Sequence, residues 1–182
     1  MSDSMADPMP DPMPDPMNAK PLRLRTRDAA DLPVIAAQLQ DAIVPVSEIG
    51  YDAEKKLFVL VANRFRWDIG EVDWSDEFGS DEADEEEAGA SGAYYLRSQC
   101  GLQIRNVKQV RRRNLDLTER GRLLDLLTIA TADDHVRLVF ADDSEIDLEV
   151  GRLDVFMEDI GEPWISRHHP SHQGAEEESY GA

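Results

Sequence analysis

The stretch from Asp125 to Ile160, DLLTIATADDHVRLVFADDSEIDLEVGRLDVFMEDI, holds the longest unbroken apolar pattern in the chain and constrains the fold more than any other segment. Val136, Leu138 and Phe140 alternate with Arg137 and Val139, and Ile146, Leu148 and Val150 alternate with Glu145, Asp147 and Glu149. Successive side chains of an extended chain point to opposite faces, so this period of two marks half-buried strands. Two such runs make a β-hairpin. Residues opposite one another in an antiparallel pair share a face, so Phe140 must stand on the same side as Ile146 and the loop must contain an odd number of residues. Asp142-Asp143-Ser144 is the simplest such loop, and it sets Leu138 opposite Leu148 and Arg137 opposite Glu149.

The rest of the chain reads as follows. Leu22 to Thr26 is a first strand, with Leu22 and Leu24 on one face and Arg23, Arg25 and Arg27 on the other. In DAADLPVIAAQLQDAI, Leu32, Ile35, Leu39 and Ala42 fall at helical spacing, Asp31 suits the N-cap and Pro33 lies in the first turn, where proline is tolerated. Ile43 to Tyr51 and Lys56 to Arg66 form a strand pair, the first at an edge because it contains Pro45. Tyr94 to Val110 is one bent strand or two short ones, with a turn or bulge at Cys100-Gly101 and a polar connection, RRRNLDLTERGR, after it. Leu153, Met157 and Ile160 suit a short closing helix before Gly161 and Pro163, while Leu153, Val155 and Met157 suit a continuing strand nearly as well. About seven antiparallel strands with one early helix define an α+β domain, its sheet strongly bent or an open barrel, of which a pleckstrin-homology-like barrel is one candidate.

The formal charge of −19 is not spread evenly. Residues 71–90 carry ten acids and no base, and residues 22–70 together with 91–161 carry 20 acids against 17 bases. The folded part is therefore near neutral, and the acidity belongs to segments poor in core-forming residues. The expected organisation is a Pro/Met/Asp leader over 1–21, one domain over 22–165 interrupted by an acidic loop at about 71–92, and a polar tail over 166–182, with leader, loop and tail disordered. Neither an export signal nor an apolar run of roughly 20 residues is present, which points to a cytoplasmic protein without a membrane span. The lone Cys100 is expected to be a small buried apolar residue.

No phosphate loop, nucleophile elbow, zinc-protease motif or dinucleotide fingerprint occurs, so no catalytic residue, cofactor or metal is assigned. His168, His169 and His172 form a histidine cluster in a polar tail where supporting contacts are not expected. The basic set Arg105, Lys108, Arg111, Arg112 and Arg113, joined by Arg23, Arg25, Arg27, Arg64 and Arg66, is the one candidate binding surface. It would neutralise phosphates, or simply pair with the acids of the same domain.

The segments DAADLPVIAAQLQDAI, LFVLVANRFRW and VRLVFADDSEIDLEVGRLDVFMEDIGEPW together resemble an uncharacterised domain-of-unknown-function family of alphaproteobacteria, over roughly Leu22 to Pro170. These motifs are structural patterns, so the resemblance carries no catalytic residue across. The leading expectation is a non-catalytic binding or accessory domain with a protein partner. Alternatives are polyanion binding, with nucleic acid the less favoured partner, on a basic strip masked by the acidic loop, and a small-ligand carrier or enzyme whose site the sequence does not reveal.

Overall fold

The computed structural model describes residues 17, 19–69, 71–72 and 94–166. Among them the chain forms twelve strands, β1 (Arg23–Thr26), β2 (Ala42–Pro45), β3 (Ile49–Asp52), β4 (Leu57–Phe65), β5 (Glu71–Val72), β6 (Tyr94–Arg105), β7 (Val107–Arg113), β8 (Leu123–Ala132), β9 (His135–Phe140), β10 (Glu145–Val150), β11 (Val155–Asp159) and β12 (Trp164–Ser166), and one α-helix, α1 (Leu32–Gln38). All strands join one antiparallel sheet in the order β1-β11-β6-β4-β2-β8-β9-β10-β7, with β3 added to β4 and with β5 and β12 added to β6. The sheet does not close on itself. It is curved enough that inner residues of both halves, such as Phe58, Leu60 and Leu102 from one and Leu138, Phe140 and Leu148 from the other, belong to a single buried cluster. The α+β class and the antiparallel sheet agree with the sequence, but the strand count is twelve where about seven were expected.

The β9–β10 hairpin keeps the expected parity and changes the register. Val136, Leu138, Phe140, Ile146, Leu148 and Val150 are all buried and Arg137 is exposed. Ile146, however, opposes Leu138, and Asp147 opposes Arg137. The loop is still three residues long, but it runs over Ala141-Asp142-Asp143, since Phe140 N–H donates to Ser144 C=O at 2.9 Å. Ser144 is fully buried, its hydroxyl donating to Asn114 C=O at 2.9 Å and accepting from Arg122 Nη2 at 3.0 Å. Those bonds hold Ser144 in the sheet, which pushes the turn one residue earlier and slides the register by two. Asp142 and Asp143 take up the turn with φ of 59° and 55°, a left-handed region that aspartate tolerates better than most side chains.

Other expectations are corrected. The helix holds Leu32, Ile35 and Leu39 in the core, but it ends at Gln38, and Asp41, at φ 59°, turns the chain into β2. The N-cap role falls to Asp28, which accepts from Ala30 N–H at 3.0 Å at the start of a 3-10 turn, while Asp31 makes no side-chain cap bond. The segment from Ile43 to Tyr51 breaks at a 3-10 turn over Val46–Glu48, and β2 lies between β4 and β8 rather than at an edge. Pro45 is tolerated there because its nitrogen faces the β4 side, where β2 pairs only at Ile43, so no ladder bond is lost. Cys100 and Gly101 lie inside the unbroken β6, and the break comes instead at Asn106, at φ 61°. Arg111, Arg112 and Arg113 belong to β7, not to a connection. The stretch Leu153 to Ile160 contains strand β11, with Val155 and Met157 buried, so the closing helix of a pleckstrin-homology plan is not formed. Glu71 and Val72 pair with Tyr95 and Tyr94, so the acidic loop does not begin at 71. The expected disorder of the leader, loop and tail concerns mainly residues 1–16, 73–93 and 167–182, and the tail histidines lie among them; these are outside the described residues.

Strand β8 carries a bulge at Leu127. Leu126 pairs with Phe140 and Thr128 with Val139, so Leu127 has no opposite residue. An extra residue reverses the alternation downstream. Leu124 and Leu126 before the bulge and Ile129 after it therefore all face the core, and Leu127 is left exposed.

Candidate interaction surface

The basic set separates into three groups. Arg64, on the inner face of β4, and Arg66, just past its end, are buried, so they contribute no outward positive face. Arg64 donates from Nε and Nη2 to the two carboxylate oxygens of Asp159 at 2.8 and 2.9 Å, and from Nη1 to Gln38 Oε1 at 3.1 Å, tying β4 to β11 and to the end of α1. Burial works against the Arg64 charge, but the bonds and proximity of Asp159 and Asp68 leave its pKa raised. Arg25 makes a two-point contact with Asp154, Nε and Nη2 both at 2.8 Å, and Arg27 stands 3.7 Å from the same carboxylate.

The third group is the strip named from sequence. Arg105 ends β6 and reaches Gln103 Oε1 at 3.5 Å. Lys108, Arg111 and Arg113 on β7 lie beside Glu149, Asp147 and Glu145 of β10, at 3.5, 3.9 and 3.2 Å, and Arg137 of β9 reaches Glu145 at 3.2 Å from the other side. Arg112 is exposed opposite Ile146. A row of acids thus runs between two rows of bases. These contacts join partly exposed groups in high dielectric, so each contributes little to stability and remains open to exchange. His135 of β9 places Nδ1 3.0 Å from Asp147.

A group that the sequence reading did not single out lies on the outer face at the other end of the sheet. Phe65, Arg97 and Trp164 occupy directly opposed positions on β4, β6 and β12, so their side chains share a face. The Arg97 guanidinium sits 3.7 Å from the centroid of the Phe65 ring. Trp67 and Tyr95 pack against the same ring, at 5.2 Å tilted and 6.3 Å edge-on. Burial lowers the Arg97 pKa, with the carboxylates of Asp125 and Asp41 acting in the opposite sense, and an arginine so placed stays charged. Trp67 and Trp164 remain 37 % and 38 % exposed, large apolar surface around a half-buried cation. The period of two in Tyr95 and Arg97 was visible in the sequence. Their neighbours Phe65 and Trp164 were not, because the pairing spans residues far apart in the chain.

Trp67 Nε1 donates to Gln40 C=O at 3.2 Å, and Gln40 lines one end of a groove of about 460 Å³ between α1 and β8. Leu32, Pro33 and Ala36 form one wall, and Leu127, Ile129 and Ala130 the other. None of its lining residues is ionisable, so the groove offers no acid or base. Cys100 is buried and its thiol is pushed up to about 12, chiefly by desolvation, so it is not a nucleophile at neutral pH. Among the described residues, no three His, Cys, Asp or Glu side chains converge in a way that could hold a metal ion, and no helix is long and apolar enough to cross a membrane.

Fold and surface together define an α+β domain built on one open antiparallel sheet, with an aromatic-arginine patch at one end of the outer face and a charge ladder over β7, β10 and β9. The chain belongs to the family described as protein of unknown function (DUF2948), which it matches over residues 22–172. No curated protein and no solved structure matches it.

Proposed function

We propose that this is a non-catalytic binding domain that recognises a protein partner through the patch formed by Trp67, Tyr95, Arg97 and Trp164. The carrying observation is Arg97 stacked on Phe65 between two part-exposed tryptophans. Trp, Tyr and Arg are the residues that most often dominate the energy of protein interfaces, because each buries a large rigid surface and still offers a polar group. Stacking on Phe65 also holds the guanidinium in place, which reduces the entropy lost on binding. The test compares Arg97→Ala and the double variant Trp67→Ala, Trp164→Ala with the parent by quantitative mass spectrometry of proteins captured from native cytoplasm. Melting curves show that the variants fold. The same proteins should be lost from both variants, and a purified one should bind the parent alone. Unchanged capture by folded variants overturns the proposal.

The α1–β8 groove favours a second reading, a carrier for a small, mainly apolar molecule, since its volume lies in the range of ligand pockets and its lining is mostly apolar, with Gln40, Thr128 and Thr131 as its polar groups. Native mass spectrometry of the protein purified from cells decides this by the presence or absence of a bound mass that Ile129→Trp displaces.

Polyanion binding on the basic strip is less favoured, because Glu145, Asp147 and Glu149 stand among its cations and repel a continuous run of phosphates. The acidic segment also rejoins the sheet at Tyr94, the far end of β6 from Arg105. At roughly 3.3 Å per residue that is about 36 Å of strand, several times the screening length of about 8 Å at physiological salt.

A further inference from the structure

The last strand of the sheet path, β7, has a short free edge with an unusual composition. Phe140 N–H donates to Ser144 C=O, and Val150 N–H donates to Asp134 C=O. The even-numbered residues of β10 therefore bond towards β9, and Glu145, Asp147 and Glu149 bond towards β7. Their partners on β7 are Arg113, Arg111 and Gln109. Backbone N–H and C=O groups alternate in direction along a strand, so those of Val110 and Arg112 point away from the sheet. Among the described residues no strand pairs with that edge. Below it the edge is occupied, for Val107 N–H donates to Lys56 C=O and Val107 C=O accepts from the Tyr51 hydroxyl.

We propose that this edge is a docking site for an extended segment of a partner protein in which acidic and apolar residues alternate. Strand addition supplies main-chain hydrogen bonds, and the flanking side chains select the sequence. Strand β7, VKQVRRR, contains four bases and no acid. Side chains of an added strand lie beside Arg111 and Arg113 on the outer face and beside Val110 and Arg112 on the other, where Val110 is half-buried against the core and Arg112 is exposed. Acids suit the first face, and an apolar residue suits the position beside Val110. The contacts of Arg111 with Asp147 and of Arg113 with Glu145 leave both arginines more than half exposed, free to take a second carboxylate without losing the first. Pairing of β7 with β7 of a second copy is disfavoured, because it sets a strand of four bases against its equal. This inference goes beyond the aromatic patch, which lies on other strands, and it commits the free edge to one chemistry.

The test uses a fluorescent peptide alternating glutamate with valine, followed by anisotropy against the full chain at low and physiological salt. Controls are the same residues in block order, the alternating peptide N-methylated at every second position, and a double-stranded DNA oligonucleotide. The alternating peptide should bind with modest salt dependence, and amide exchange at Val110 and Arg112 should slow on binding. Val110→Pro removes an outward N–H without touching a bond to β10, and Arg111→Glu reverses a charge on the face that meets the acids. Each should weaken binding by roughly tenfold. The Trp67→Ala, Trp164→Ala variant should bind the peptide as the parent does, which separates this edge from the patch. No binding, equal binding of the blocked or N-methylated peptides, or tighter binding of DNA overturns the proposal.

Discussion

Arg64 and Asp159 form a fully buried two-point ion pair across 95 positions of sequence, at 2.8 and 2.9 Å. The remaining bonding capacity is also used. Asp159 Oδ2 accepts from Leu22 N–H at 2.8 Å, and Arg64 Nη1 donates to Phe65 C=O at 2.9 Å and to Asp68 Oδ1 at 3.2 Å. A buried charge stripped of its partner is far more costly than the pair is worth. Asp159→Ala should therefore destabilise the domain by about 3–5 kcal/mol. Replacing both residues, as in Arg64→Met with Asp159→Leu, should recover most of that loss. Urea unfolding of Arg64→Met, Asp159→Leu and the double variant measures the coupling directly.

Acid should weaken the domain through Asp154 and Asp68. The hydrogen bonds from Arg25 hold Asp154 below the usual carboxylate value, 3.8. Burial raises Asp68, but bonds from Arg66 and the charge of Arg64 outweigh it and leave its pKa lowered. Both folded pKa values are depressed, so their stabilisation is complete above the unfolded value and lost as pH falls through the folded values. The expected outcome is a melting temperature that falls with pH below 3.8, with a shallower fall in Asp154→Asn, read by circular dichroism from pH 6 to pH 2.

Strand β8 should tolerate both truncation and deletion of Leu127. Leu127→Ala touches an exposed side chain and should change stability by less than about 0.5 kcal/mol. Removing the residue closes the bulge and leaves Leu126 opposite Phe140, Thr128 opposite Val139 and Ile129 opposite Leu138 on their present faces, so it should cost no more than about 1–2 kcal/mol. Thermal unfolding checks both: each should melt close to the parent, and a large loss on deletion would show that the bulge itself is needed.

The β9–β10 turn is not optimal for its own geometry. Both Asp142 and Asp143 hold positive φ, where Asn-Gly is the favoured pair. The variant Asp142→Asn, Asp143→Gly should gain about 0.5–1 kcal/mol, whereas Ser144→Ala should lose about 1–3 kcal/mol by leaving Asn114 C=O without the serine hydroxyl.

Cys100 should be silent to thiol reagents in the native state. With its thiol fully buried and raised to about 12, modification at pH 8 should proceed at the rate of unfolding and speed up in urea. Rapid reaction of the folded protein would show that β6 opens locally.

Alternation along the chain determined which side chains are buried. Val136 to Val150 and Leu32 with Ile35 and Leu39 could each be assigned from period alone, because burial in one strand or helix depends on neighbours within a few residues, whereas over Leu153 to Ile160 the helical and strand periods fitted nearly equally well. Tertiary structure decided what those elements meet. Parity fixed the face of the β9–β10 hairpin, but its register depended on Ser144, whose hydroxyl answers to Asn114 and Arg122. A period of two also cannot distinguish an outward arginine from Arg64, because a charge is admitted to the core only where a partner such as Asp159 waits for it. The aromatic-arginine patch and the free edge of β7 have the same origin. Both are properties of strand order, which is set by the packing of the whole sheet and written in no single segment.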